Sequence, residues 1–175
     1  MQNGTIRPCG PLDFPAVLGV INDAARAYRG VIPEDCWHDP YMAEGELRAE
    51  ILAGVEFWGW EREGTLLGVM GMQPVGDVTL IRHAYVADAC RRQGIGASLL
   101  GFLRGRVRNP LLIGTWAAAT WAVRFYRKHG FTVVEPALKN RLLNTYWTVP
   151  ERQIETSVVL ADERWFSENR NFGPR

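Results

Sequence analysis

Cysteine is scarce and scattered. The three thiols, Cys9, Cys36 and Cys90, form no CxxC pair, and an odd, widely spaced set supports neither a disulfide framework nor a zinc site. Free thiols packed as small hydrophobes are expected. His38 and Asp39 are adjacent rather than at ligand spacing, so no metal is expected either. No apolar run approaches the roughly 18 residues that cross a bilayer, and Met1 to Pro8 has neither the basic nor the apolar region of a secretory signal. A cytoplasmic location is expected. Charge of one sign is also missing: 20 Lys plus Arg against 19 Asp plus Glu leave a net +1, which gives no field to draw the chain onto nucleic acid or an anionic membrane.

What is present is an ordinary globular composition, 47% hydrophobic and 22% charged over 175 residues. That length and mix predict one folded domain over residues 1–175, with no repeat or linker to divide it. Phe14, Val17, Leu18, Ile21, Ala25 and Tyr28 recur at helical spacing after Asp13, and Leu47, Ile51 and Leu52 mark a second helix. The intervening loop, residues 30–41, is aromatic and proline-containing. Val55 to Glu61 and Thr65 to Gln73 read as a hairpin turning at Glu63-Gly64, and Val78 to Val86 as the next strand. From there the pattern changes to helix (Ile95 to Val107), strand (Leu111 to Thr115), helix (Ala118 to His129), strand (Phe131 to Val134) and a late helix over Leu138 to Trp147. Ile154 to Leu160 alternates as a last strand. The whole predicts a mixed α/β sheet with helices packed on it.

Chemistry concentrates at Val86 to Leu100: a strand end, a turn with Arg91 and Arg92, then Gly94 and Gly96 opening an amphipathic helix. Glycines admit a ligand close to the backbone, and first-turn N–H groups at the positive end of the helix dipole suit an anion such as a diphosphate. Alone, the same pattern also serves a glycine turn that merely packs a helix on a strand.

Arg91-Arg92-Gln93-Gly94-Ile95-Gly96 resembles the R/Q-x-x-G-x-G/A signature of the GCN5-related N-acetyltransferase (GNAT) family, preceded by the strand end Tyr85-Val86. Downstream, Ala122 to Phe131 (AVRFYRKHGF) is similar to that family's A-x-x-F-Y-x-x-x-G-F segment. The resemblance implies a mixed, mostly antiparallel sheet splayed between its fourth and fifth strands, with helices on both faces. It implies acetyl-coenzyme A as co-substrate and acetyl transfer to the amine of a small molecule or peptide by direct attack. A non-catalytic acyl-coenzyme A-binding module is the alternative, and homodimer formation stays open.

Carried over by position, Tyr85 and Val86 would meet the pantetheine arm through the backbone. Arg91, Arg92, Gln93, Gly94, Ile95, Gly96, Ala97 and Ser98 would hold the diphosphate. Tyr126 would be the general acid for the departing thiolate. The family's frequent Asn is Ala119 here, so Thr120 is the expected substitute contact. Members often place a Glu or His base on the strand corresponding to Val78–Val86, which points to His83, although strand alternation sets His83 opposite Arg82 and Ala84 unless a bulge intervenes. A water relay and the carboxylates of Glu44 and Glu155 are the alternatives. Tyr28, Trp37 and Tyr41 lie where the family's helix-to-helix connection borders the acceptor, and are expected to contact it.

Overall fold

Two short sequence signals set up the first half of the chain. Glu63 and Gly64 both take left-handed backbone, at φ 51° and 74°, the pairing a two-residue hairpin turn requires, and they join strands β2 (Glu56–Arg62) and β3 (Thr65–Val75). Before them come β1 (Thr5–Pro8), α1 (Phe14–Ala25) and α2 (Glu44–Leu52). After them come β4 (Val78–Val86), α3 (Ile95–Arg104), β5 (Leu111–Trp116) and α4 (Thr120–Lys128). The chain closes with β6 (Thr132–Val133), α5 (Pro136–Tyr146), α6 (Glu151–Thr156), β7 (Ser157–Ala161) and α7 (Glu163–Glu168). This computed structural model describes residues 4–169. The strands follow the order β1-β2-β3-β4-β5-β7-β6. The sheet is mostly antiparallel, with β4 and β5 parallel, so the mixed α/β sheet read from the sequence is present. No helix among the described residues is long and apolar enough to cross a membrane.

Residue contacts gather the described residues into two compact units, the first residues 4–29, Trp37–Gln73 and Ile81–Arg106, the second Gly30–Cys36, Pro74–Leu80 and residues 107–169. In the first, Val17 and Ile21 of the expected α1 face are buried together with Val20, which was not expected there, and pack with Met42, Leu47, Val55, Phe57, Leu66 and Val69, while Phe14 and Leu18 are partly buried against them. Asp13 does not cap α1 with its side chain. It accepts the Gly10 amide at 2.8 Å and both Nη atoms of Arg7 at 2.8 Å, while Arg7 also reaches Glu61 on β2, so β1 is tied to its neighbour by charge as well as by backbone. Cys9 lies against Gly59 beneath this network, and burial pushes its thiol up to about 11.

The second unit is built on Val78, Leu80, Leu112, Leu138, Leu142, Val159 and Trp165. Its last segment differs from the sequence expectation. Residues 151–156 are helical because extended Pro150 starts a turn whose Ile154 amide returns to the Pro150 carbonyl at 3.1 Å. Ile154 packs on the second unit's core from that helix, which in one dimension mimics an alternating strand. The unpredicted α7 is capped by fully buried Asp162, whose carboxylate accepts the Trp165 and Leu111 amides, each at 3.2 Å.

Gly68 on β3 faces the start of α3 with no room to spare: a Cβ there would lie 2.6 Å from Ile95 Cγ2 and 3.4 Å from Leu99 Cδ1. Both residues are buried, so neither can swing into solvent. Gly68→Ala is therefore expected to cost about 1–3 kcal/mol of stability by overpacking, read as a lowered urea midpoint with an unchanged slope; an unshifted midpoint would show that α3 sits loosely on β3.

Candidate functional site

The turn between β4 and α3 has the local geometry of an anion cradle. Arg92 and Gly94 both take left-handed backbone, at φ 59° and 82°, and Gly94 caps the helix. The first main-chain bond across the helix start runs from the Ser98 amide to the Gly94 carbonyl at 2.9 Å, so the amides of Ile95, Gly96 and Ala97 precede the point where helical pairing begins. A Cβ built on Gly94 would meet nothing within 4 Å. Ile95 and Leu99 are buried and pin the helix, while Arg92, Gln93, Gly94 and Ser98 are exposed. The sequence thus anchors one face and leaves polar groups and free amides on the other.

Arg91 has a structural engagement too. Its guanidinium lies 3.0 Å from Asp88 Oδ1 and donates to the Ala24 carbonyl at 3.2 Å, and the Asp88 amide donates to Asp23 Oδ2 at 2.7 Å. These bonds hold the cradle turn to the end of α1. Gln93 donates back to the Ala89 carbonyl at 3.4 Å, and half-buried Val86 precedes the turn as the last residue of β4.

Tyr85, Tyr28, Tyr41 and Trp37 form one aromatic cluster. Tyr28 lies 5.3 Å from Tyr41 and 6.2 Å from Tyr85 between ring centroids, and Trp37 lies 5.7 Å from Tyr41. Burial, together with hydroxyl contacts to Tyr28 and Tyr41, pushes the Tyr85 phenol well above its ordinary value. Burial also raises Tyr28, against the hydrogen bond to Tyr85 and the charge of Arg91. All these rings are half-buried. The Asn22 side chain fixes the loop end by bonding both the amide and the carbonyl of Met42, at 2.8 and 2.9 Å. The residue read as a cofactor neighbour, Tyr85, and those read as acceptor contacts are therefore one packed group.

His83 sits at φ 50° inside β4, a left-handed residue that breaks strand alternation. The break brings Arg82 and His83 to the same carboxylate, that of Glu50 on α2. Arg82 Nη2 lies 2.8 and 2.7 Å from the two Glu50 oxygens, and His83 Nε2 lies 3.3 Å from Oε2. Arg82 is held in turn by Gln73 Oε1 at 2.8 Å, and Gln73 by the Ala53 carbonyl at 2.9 Å. The His83 ring stacks on Phe57 with centroids 5.9 Å apart. Burial pushes the Glu50 carboxyl up, but the His83 contact and the Arg82 charge outweigh it, and its net shift is downward. Sequence reasoning missed Glu50, for which the only signal is a helix facing the expected base strand. Glu44 instead pairs with Arg48 at 2.6 Å on the surface of α2, and Glu155 lies 3.3 Å from Arg152 on α6.

In the second unit Tyr126 is the buried residue of α4, its ring 5.1 Å from Phe125 and 6.0 Å from Phe131. Its carbonyl accepts the Phe131 amide at 3.1 Å, so the Phe-Tyr-x-x-x-Gly-Phe segment folds back on itself. Ala119 is fully buried at the helix start and Thr120 is exposed beside it. Among the described residues no group of His, Cys, Asp and Glu could hold a metal ion.

Residues 53–133 match the model of the acetyltransferase (GNAT) domain. The chain is 24% identical over 151 residues to the peptidyl-lysine N-acetyltransferase YiaC of Escherichia coli K12, an alignment covering 86% of this chain and 99% of that protein. The PaiA N-acetyltransferase of Thermoplasma acidophilum, solved in complex with coenzyme A, superposes with a TM-score of 0.68 at 16% identity, over 92% of this chain and 99% of the other. The ribosomal-protein-S18-alanine N-acetyltransferase of Escherichia coli superposes with a TM-score of 0.63 at 19% identity, over 91% and 93%.

The depressed Glu50 carboxyl has a consequence for acid stability. A group whose pKa is lowered by folding contributes stability above its unfolded value, about 4.3 for Glu, and that contribution is lost as pH falls through the folded value. Wild type is therefore expected to lose stability below about pH 4.3 more steeply than Glu50→Gln, measured as urea midpoints from pH 7 to pH 3. Parallel curves would show that the ion pair with Arg82 adds nothing.

Proposed function

We propose that the chain is a GCN5-related N-acetyltransferase that transfers an acetyl group from acetyl-coenzyme A directly to a primary amine, without an acyl-enzyme intermediate. The observation that carries this reading is the cradle, where open space at Gly94, left-handed Arg92 and Gly94 and unpaired first-turn amides meet two arginines. A diphosphate matches that set of donors. The relative solved with coenzyme A supports it. Two relatives are named for a peptidyl lysine and for a ribosomal-protein alanine, which favours an amine carried on a polypeptide over a free small molecule.

In this reading Arg91, Arg92, Gln93, the amides of Gly94 to Ala97 and Ser98 bind the diphosphate, and the backbone of Tyr85 and Val86 takes the pantetheine arm. Thr120 supplies the contact that buried Ala119 lacks. Tyr28, Trp37 and Tyr41 border the acceptor. The amine nitrogen bonds to the thioester carbonyl carbon as the carbon–sulfur bond breaks. One proton passes from nitrogen to His83, and the Tyr126 hydroxyl protonates the leaving thiolate. Phenol and thiol have comparable reference pKa values, about 10 and 8.5, which makes that transfer feasible.

Gly94→Asp tests the cradle, because Asp tolerates left-handed backbone and projects a negative charge into the anion's place. Calorimetry is expected to show loss of coenzyme A binding in Gly94→Asp and clear retention in Gly94→Asn, which has the same shape without charge. Equal affinities in the two variants would remove the cradle from the diphosphate. Tyr126→Phe keeps the ring and its packing. As general acid its hydroxyl acts mainly in the transition state, so kcat is expected to fall roughly 10²- to 10⁴-fold with coenzyme A affinity unchanged. Near-normal kcat in the folded variant, with chemistry rate-limiting, would leave thiolate departure to water.

A further inference from the structure

We propose that Glu50 is a positioning residue for proton transfer: its carboxylate holds His83 as the Nε2–H tautomer and leaves Nδ1 as the atom that takes the acceptor amine's proton. The inference rests on the reading of His83 as base and adds to it the residue that makes the base competent.

Three observations converge. An ionised carboxylate only accepts hydrogen bonds, so the ring nitrogen facing it is favoured as the donor and the other is left with the lone pair. The facing nitrogen is Nε2, 3.3 Å from Glu50 Oε2; it is buried and, among the described residues, has no hydrogen bond of proper alignment. The pair is thus within ion-pair distance but short of a formed hydrogen bond. Second, the ring is brought to Glu50 by backbone that histidine seldom adopts, φ 50° in mid-strand. Strain of this kind persists only where the surroundings over-determine it, and it clusters at sites of function. Third, Glu50 has little freedom to turn away. Arg82 grips both of its oxygens, Gln73 grips Arg82, and the Ala53 carbonyl grips Gln73.

The groups facing His83 are Glu50 from α2, Arg82 from its own strand and the apolar ring of Phe57 from β2. Glu50 favours the imidazolium and Arg82 opposes it. Arg82 is neutralised by the same carboxylate, and its net effect is to keep Glu50 ionised. The proton balance is simple. The amine gives one proton to Nδ1 as its nitrogen bonds to the acyl carbon, the imidazolium is held against Glu50, and the proton then passes to solvent.

The chain has three histidines, so nitrogen-15 imidazole spectra of the full-length protein are tractable, with His83→Ala assigning the signal. The expected result is an Nε2–H tautomer for the neutral His83 ring in wild type and loss of that preference in Glu50→Gln. In Glu50→Gln kcat is expected to fall at least about tenfold, with coenzyme A affinity unchanged. Glu50→Asp is expected to restore the tautomer in part, which a merely structural role would not produce. An Nδ1–H tautomer in wild type, or a Glu50→Gln protein with the wild-type tautomer and kcat, would overturn the proposal while leaving the base reading standing if His83→Ala is still slow. A fully active His83→Ala would instead overturn the base reading, and the proposal with it.

Discussion

The structure around the candidate chemistry hangs on one backbone choice, the left-handed turn of His83 within β4. A regular strand would send consecutive side chains to opposite faces. Here Arg82 and His83 instead converge on one carboxylate, and their convergence fixes where α2 must lie. The same displacement is accommodated by glycine across the ladder: a Cβ on Gly71 would stand 2.9 Å from the Arg82 carbonyl and 2.8 Å from Val55. A strained histidine, a forced glycine and a clamped glutamate are therefore a single arrangement rather than three features.

A second consequence concerns division of labour at the β4–α3 turn. Arg91, adjacent in sequence to Arg92, is held by Asp88 and the Ala24 carbonyl, so its charge is delivered in a fixed place. Among the described residues Arg92 gains nothing comparable, and it stands exposed on left-handed backbone. One arginine shapes the turn while the other projects from it. The Arg91 charge also reaches the tyrosine cluster, where it counteracts the upward push on Tyr28. The anion cradle and the aromatic group are thus electrostatically joined within one unit of the chain.

Much of this was legible in the residues. Helical patterns located α1, α3 and α4 because each buries one stripe, and β3, β4 and β5 were legible as apolar runs because consecutive residues in them are buried. The Gly94 turn was legible because left-handed backbone favours glycine. Residues 151–156 misled for a physical reason: a six-residue helix is too short to show its period, and Ile154 and the following β7 valines merge into one apparent alternation. Glu50 was invisible because nothing in one dimension distinguishes it from Glu44 or Glu46 on the same helix. Its partners come from β4, and their meeting depends on left-handed backbone at His83 that composition does not encode. The aromatic loop was legible as a group, but the inclusion of Tyr85 required tertiary packing.

The burial of Cys9 matters for how turnover can be watched. Its thiol is raised to about 11, so at mildly alkaline pH it presents little thiolate, the form that attacks disulfide dyes, and Cys90 is buried away from such a reagent. Half-buried Cys36 is the remaining protein thiol. A colorimetric thiol reagent added during acetyl transfer would therefore see mainly the coenzyme released at each cycle, over a small and countable protein background.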